Sequence, residues 1–424
     1  MNSDWLAVFE SLKSVYSEGA FSNMAINEAL AHHKGCSESF VRNFAKGVLR
    51  NTIRLDYLID KLASRGISKV AERPLIVLRM GLYAIDNLGS VPDHAAVNEA
   101  VNLAKRVAKG SDKFVNGVLR TYLREKDKYL IPEDRLDLKY SVSEALISLL
   151  SSQYGDETED IIKGLNEPPR TVIRVNKLRA SRTDVTERLR ELEIGAEPSS
   201  ESENAILASG SGIVSSELFR EGKISLQSLS SMLAIEALGI EAGSSVLDMC
   251  AAPGGKSAYA AELMGNSGAV TACDIYEHRL KLIEKTMDRL GIDIVSTAAS
   301  DGTVFNKEME SKFDYVIADV PCSGLGVMAS KPEISFNSDP ETYGDLIEIQ
   351  TAILKNALRY VKEGGRVEYS TCSLNKNENE QVVEKVLSDE PCSLARVLEM
   401  RTLMPYNDKV GFFYCIMEKN PSTH

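Results

Sequence analysis

Cys322, in ADVPCSGLGV, and Cys372, in VEYSTCSL, each follow an apolar run and are flanked by small or hydroxyl residues. A thiol just past a strand, among small neighbours, is left accessible at a sheet's edge, and its thiolate is a nucleophile. Two such thiols at one edge point to covalent catalysis. Cys250, Cys273 and Cys415 lie within or against apolar runs and read as small buried hydrophobes, and Cys36 and Cys392 complete the seven. No CxxC pair and no Cys/His cluster occurs, and the odd count does not suit a disulfide framework. Reduced thiols and no metal are therefore expected.

Carboxylates form a second constellation. Asp248 ends SSVLDM, Asp274 ends GAVTACD, Asp301 lies in ASDG and Asp319 in ADVPC. An acid at the second strand end of a doubly wound sheet can accept hydrogen bonds from a ribose diol. One such acid alone reads equally as a helix cap or a loop residue. Four at successive strand ends surround a ligand with a ribose, an adenine and cationic groups better than one rich in phosphate, and S-adenosylmethionine fits that description. After Asp248 comes a turn of small residues, Cys250, Ala251, Ala252, Pro253, Gly254, Gly255 and Lys256. It lets backbone approach a ligand, and the helix that follows directs its positive end there. Gly255-Lys256-Ser257 matches the end of a Walker A loop, but Cys250 stands where its first glycine belongs and Pro253 interrupts the nest of donors. The G-x-G-x-x-G fingerprint is absent.

These residues need a scaffold, and the chain's texture supplies one. From Ser225 onward the short apolar runs SSVLDM, GAVTACD, DIVSTAAS, FDYVIADV, GGRVEYST and GFFYCIME alternate with helices. That alternation is the signature of a Rossmann-like, doubly wound α/β sheet, which binds ligands at the C-terminal ends of its strands. Upstream, residues 131 to about 215 read as a small mixed segment, with a helix in SVSEALISLLSSQYG, the extended TVIRVNKL, a helix in ASRTDVTERLREL and strand-like pieces up to Ser216. The front reads as all helix. Apolar residues recur at helical spacing in SFVRNFAKGVLRNTIRLDYLIDKL, RPLIVLRMGLYAIDNL, HAAVNEAVNLAKRV and KFVNGVLRTYLR, with breaks at Arg65-Gly66, at Gly89-Ser90-Val91-Pro92 and at Lys109-Gly110-Ser111. Three parts are expected: 1–128 helical, 129–215 linking, and 216–424 carrying the chemistry.

Composition bounds the function. The 424 residues suffice for two or three domains, and 43% hydrophobic with 26% charged residues is ordinary for a soluble globular protein. No run reaches the length of a membrane span, and MNSDWLAVFE lacks the basic start and apolar core of a secretory signal, so a cytoplasmic monomer without membrane contact is expected. The net charge of −12 is uneven: residues 1–130 hold 19 Lys and Arg against 14 Asp and Glu, a balance of +5 that leaves −17 for the rest. A basic front on an acidic body is compatible with nucleic-acid contact through the front.

Two resemblances sharpen this reading. RNFAKGVLRNTIRLDYLID, RPLIVLRMGLYAID, VPDHAAVNEAVNLAK and KFVNGVLR, in that order, resemble the NusB-type RNA-binding helical domain. CAAPGGK, DVPCSGLGV, KPEI, YSTCS, NENE and GFFYC resemble the RNA 5-methylcytosine methyltransferases. With the NusB-like front attached, the resemblance narrows to the branch that methylates a cytosine of small-subunit (16S) ribosomal RNA. It implies Cys372 as nucleophile at carbon 6 of the base, Cys322 as its helper, and Asp319 holding the cytosine edge. It also implies S-adenosylmethionine at the Cys250–Lys256 turn with Asp274, Asp301 and Asp319 around it. Ser370 and Thr371 are candidates to favour the Cys372 thiolate. The chain departs from these relatives at Ala329-Ser330, where they carry a basic pair, and at Ser228, where they carry an acid. Two rival readings stay open: a binding-only RNA regulator using the front, and a methyltransferase of another RNA, a small molecule or a protein.

Overall fold

The computed structural model describes residues 3–89, 91–389 and 395–421, so Ser90 of the expected break and Cys392 lie outside the described residues. The chain forms two compact units, Met1–Glu167 with Met328–Pro340, and Pro168–Val327 with Glu341–His424.

The first unit is helical, and its major helices are Ser3–Glu18, Ser22–His32, Glu38–Arg50, Thr52–Leu62, Glu72–Asn87, Asp93–Val107 and Asp112–Arg124. In Glu38–Arg50 the buried Val41, Phe44, Ala45, Val48 and Leu49 fall on one face, and Ser37 caps the start by accepting from Phe40 N at 3.4 Å. The sequence reads as one helical stretch from Ser39 to Leu62, but the structure breaks it at Asn51. There the Asn51 side chain bonds back to Gly47 O at 2.9 Å and Thr52 Oγ1 to Leu49 O at 2.8 Å. Such local bonds compete with helix continuation. Shorter helices, Leu136–Tyr140, Glu144–Tyr154 and Thr158–Asn166, extend this unit, the first and last unforeseen in the sequence.

Residues 328–340 also pack into the helical unit. Arg50 donates to Ala329 O at 2.7 Å, Lys46 to Ser330 O at 3.3 Å and Ser22 N to Glu333 Oε1 at 3.1 Å, while Phe336 meets the Tyr16 ring. At the Ala329-Ser330 departure, helix Glu38–Arg50 thus places two cations against backbone carbonyls.

The second unit holds two sheets. β1 (Thr171–Val175), β2 (Gly195–Pro198), β3 (Ala205–Ser209) and β4 (Ile224–Leu226) form an antiparallel sheet of order β2-β3-β1-β4. Helix Arg182–Glu191 covers it through Val185 and Leu189. The larger sheet contains β5 (Ser245–Asp248), β6 (Ala269–Asp274), β7 (Val295–Ala299), β8 (Phe313–Asp319), β9 (Val361–Thr371), β10 (Ala395–Leu403) and β11 (Phe412–Lys419), in the order β10-β11-β9-β8-β5-β6-β7. β9, β8, β5, β6 and β7 run parallel, whereas β11 is antiparallel to both β9 and β10. The six expected strands are present, and the Rossmann-like reading holds. β10 was not expected: ARVLEMRTL is an edge strand with Leu403 its one buried residue, and it carries charge instead of an apolar run. Chain order reverses between β5 and β8, which is where such sheets bind ligands. Among the described residues no helix is long and apolar enough to cross a membrane.

Candidate active site

At that reversal a cavity of about 560 Å³ opens along the strand ends. Of the residues expected to hold a cofactor, Cys250, Ala252, Asp274, Asp301 and Asp319 line it, together with Met249, Ile275, Tyr276, Ile349 and Ile353. Asp274 accepts from Tyr276 N at 3.1 Å and lies 3.7 Å from Arg279. Asp301 accepts from Thr303 N at 2.9 Å and from its hydroxyl at 2.7 Å. These short loop bonds fix each carboxylate at the rim.

Ala251, Pro253, Gly254, Gly255 and Lys256 do not line the cavity but shape the turn beside it. Ala251 N donates to Cys273 O at 2.7 Å and Gly254 N to Ala251 O at 2.7 Å. Gly254 sits at φ +101°, where a side chain would be strained and would press on Ile283, and helix Gly255–Leu263 starts immediately after it. Lys256 turns inward and is buried. Its ammonium lies 2.7 Å from Asp319 Oδ1, 2.9 Å from Ser370 Oγ and 3.9 Å from Glu368, over the Phe412 ring. Burial alone would pull this lysine down, but Asp319 and Glu368 outweigh it and hold it above the usual range. Ser257 donates to Asp248 at 2.6 Å. The Walker-like Lys-Ser pair is thus committed to the carboxylates Asp319, Glu368 and Asp248.

The second feature is the pair of thiols. β8 and β9 are parallel neighbours with Asp319 opposite Ser370, so the loops that follow them emerge side by side. Cys322 Sγ lies 3.1 Å from Cys372 Sγ. The contact with Cys372, burial, and the charges of Glu378 and Asp319 push Cys322 well above the ordinary thiol range. The loops are also joined through backbone: Gly326 N donates to Cys372 O at 2.9 Å, and Gly411 N to Gly326 O at 3.0 Å. A Cβ on Gly326 would sit 1.7 Å from Gly411 O, so that crossing requires glycine.

Other cysteines behave differently. Burial pushes Cys273 and Cys415 up to about 12, with Asp248 and Glu368 adding to it respectively. Burial and the nearby Asp248, Asp319 and Asp274 raise Cys250 further. Cys36 packs against the helical core. Ser370 and Thr371, expected beside the nucleophile, direct their hydroxyls elsewhere: Ser370 donates to Asp319 at 3.0 Å and Thr371 to Asn379 at 2.6 Å. Each hydroxyl has a single proton, so their contribution is to hold the loop and Asp319.

Sequence reasoning missed the buried polar groups beneath the site. Glu378, Gln350, Ser323 and Ser373 form one hydrogen-bonded cluster between the thiol loops. Their only signal was NENE, noticed as a likeness and given no role. Also missed was the buried pair Arg174–Glu262 at 2.8 Å, in which Arg174 further donates to Gly255 O at 2.7 Å. Ser228 accepts from Ser231 N at 3.2 Å as the cap of helix Leu229–Leu238. Asp and Ser serve nearly equally at a helix cap, which accounts for that departure locally.

Comparison with known proteins places this architecture. The family 16S rRNA methyltransferase RsmB/F matches residues 235–415, the NusB family residues 6–124, and the ferredoxin-like domain of RsmF/B-like methyltransferases residues 143–214. A Bacillus subtilis relative described as a probable ribosomal RNA small subunit methyltransferase B is 34% identical over 97% of both chains. The chain belongs to the RsmB/F family of 16S rRNA methyltransferases. A second relative of the same description, from Synechocystis, is 33% identical over 90% of this chain and 88% of its own. The solved structure of PH0851 has the same fold, with a TM-score of 0.85 at 24% identity over 98% of both chains. The methyltransferase homolog protein from Pyrococcus horikoshii, at 27% identity and a TM-score of 0.61, covers 68% of this chain and all of its own. This RsmB/F member therefore carries a NusB-like helical region and a Rossmann-like methyltransferase sheet.

Proposed function

We propose that this chain transfers a methyl group from S-adenosylmethionine to carbon 5 of a cytosine in small-subunit ribosomal RNA, through a covalent bond between Cys372 and the base. The observation that carries the reading is the pair of thiols 3.1 Å apart, on the loops after two parallel strands, beside a cavity lined with carboxylates.

The cavity's donor set fits the methyl donor. Asp274 and Asp301 offer acceptors to hydroxyls, Ile275, Ile349 and Ile353 offer apolar surface to a purine, and Arg279 is the one Lys or Arg among the described lining residues. That set suits a ribose and a positive charge better than phosphates. When bound, S-adenosylmethionine supplies an electrophilic methyl group on a cationic sulfur.

The chain's own residues do the rest. Cys372 as thiolate adds to carbon 6 of the flipped-out base, which makes carbon 5 electron-rich and able to take up the methyl group. The proton on carbon 5 then passes to a water molecule, and the electrons of that bond restore the ring double bond as the Cys372 sulfur is expelled as thiolate. Cys322, held protonated and 3.1 Å away, donates its S–H toward the Cys372 sulfur and assists this release. Asp319, held by Lys256 and Ser370, engages the cytosine edge. Residues 1–128 supply RNA affinity through Lys and Arg contacts to phosphate, so binding weakens as salt rises.

Bisulfite sequencing of small-subunit ribosomal RNA from cells with and without the protein tests the reading. One cytosine should lose protection when the protein is absent, and protein-free RNA should regain it on incubation with enzyme and S-adenosylmethionine. An unchanged cytosine pattern would favour a binding-only role.

A further inference from the structure

Glu378 lies fully buried between the two thiol loops, and nothing in the reaction outlined above uses it. Its Oε1 accepts from Ser323 N at 2.8 Å and from Gln350 Nε2 at 3.1 Å. Its Oε2 lies 2.5 Å from the Ser323 hydroxyl and 2.7 Å from the Ser373 hydroxyl. Ser323 follows Cys322 and Ser373 follows Cys372, so one carboxylate grips the residue after each thiol. Gln350, on helix Gly344–Tyr360, also donates to Pro321 O at 2.9 Å, which fixes the other side of Cys322. Tyr369, in β9, donates to Glu378 O at 2.6 Å and anchors the backbone that carries the carboxylate. An ionised carboxylate has four acceptor positions and no proton to give, and here four donors face it.

We propose that Glu378 is a positioning residue of the methyl transfer: it staples the Cys372 loop to the Cys322 loop and so sets where the Cys372 sulfur stands for its attack on the base. The proposal rests on the covalent reading above. Burying a carboxylate among neutral donors is costly, and an apolar residue of similar size would pack the same space at lower cost. A planar group with two polar atoms is needed, however, to hold both serine hydroxyls and the Ser323 amide at once. After the contact with Cys372 and burial, the negative charge of Glu378 adds to what holds Cys322 above the ordinary thiol range.

The test uses the full chain in a Cys322→Ala background, with target RNA and S-adenosylmethionine, and follows the protein–RNA adduct on denaturing gels. Adding Glu378→Ala should slow adduct formation roughly 10- to 100-fold, the scale expected of a misplaced reacting group, with unaltered affinity for S-adenosylmethionine. Glu378→Gln should restore most of the rate, because its amide can donate to hydroxyls that turn round to accept. With the charge gone, the acid limb of the rate–pH profile should move to lower pH by roughly half a unit to one unit. An adduct forming in Glu378→Ala at the rate of Cys322→Ala alone would overturn the staple while leaving the covalent reading intact. A folded Glu378→Gln variant no faster than Glu378→Ala would also overturn it. No adduct from Cys322→Ala with Glu378 intact would remove the covalent reading, and the staple with it. Should Glu378→Ala not fold, Ser323→Ala combined with Ser373→Ala releases the same two grips, and an unchanged adduct rate there overturns the proposal.

Discussion

Two turns in this molecule look alike in sequence and do different work. Each follows a buried strand of the large sheet and begins within two residues of a cysteine: Cys250 after β5, Cys372 after β9. Around Cys250 are burial and the carboxylates Asp248, Asp319 and Asp274, all of which oppose ionisation. Beside Cys372 is a second thiol at 3.1 Å, on a loop tied to its own by Glu378. In the proposed mechanism, a strand-end cysteine is made reactive or inert by what the neighbouring strand delivers. β5 meets acids and a glycine turn suited to a ligand, whereas β9 meets the loop of β8.

The largest effect should come from exchanging the two cysteines' fates. Cys372→Ala should abolish methyl incorporation, while Cys250→Ala should cost less than about tenfold, through weaker cofactor binding alone. Tritiated-methyl counting on target RNA compares them, and equal losses would erase the distinction. The first turn should next prove dependent on its buried support. Arg174→Ala strands Glu262 without its partner and frees Gly255 O, so unfolding in urea should show a loss of roughly 3–5 kcal/mol. A loss much below that would mean the turn does not need the pair.

Beneath the same turn, burial raises the Asp248 carboxyl to about 7. A folded value above the unfolded one, about 3.9, means that the proton is held more tightly in the native state. Asp248 therefore supports stability below pH 4 and withdraws that support as pH rises through 7, and buried Glu368 shifts the same way. Asp248→Asn should remove up to about 4 kcal/mol of pH-dependent loss between those limits, at 1.36 kcal/mol per unit. Denaturant midpoints at pH 4 and pH 8 would show it, and parallel profiles for both proteins would contradict it. The smallest effect belongs to a carboxylate lining the cavity: Asp274→Ala should weaken S-adenosylmethionine binding by roughly 1–3 kcal/mol, read by calorimetry, because a ribose would lose a charged acceptor.

The strand ends were legible because hydrophobic runs mark buried parallel strands and the chemistry sits where they stop. Asp274, Asp301, Asp319, Cys322 and Cys372 could be located that way, and the structure gathers all five at one edge of one sheet. What escaped is polar and buried. NKNENE reads as a solvated loop, yet Asn375, Glu378 and Asn379 are fully enclosed, and Glu378 takes its partners from the loops after β8 and β9 and from helix Gly344–Tyr360, which no local pattern announces. Arg174 and Glu262 lie 88 residues apart and read as two surface charges. β10 was hidden because an edge strand needs no apolar run, and the break at Asn51 because two side-chain bonds outweigh an uninterrupted helical periodicity. Nor does any sequence feature assign residues 328–340, which lie within the run of sheet strands, to the helical unit.

The central claim, that Cys372 forms the bond to the base and Cys322 acts afterwards, is tested most directly by trapping the intermediate. Cys322→Ala, Cys372→Ala and the double variant are each incubated with target RNA, with and without S-adenosylmethionine, and run on denaturing gels. The account predicts an RNA adduct that accumulates for Cys322→Ala with S-adenosylmethionine and is absent from both proteins lacking Cys372. An adduct on Cys372→Ala and none on Cys322→Ala would contradict it and reverse the two roles.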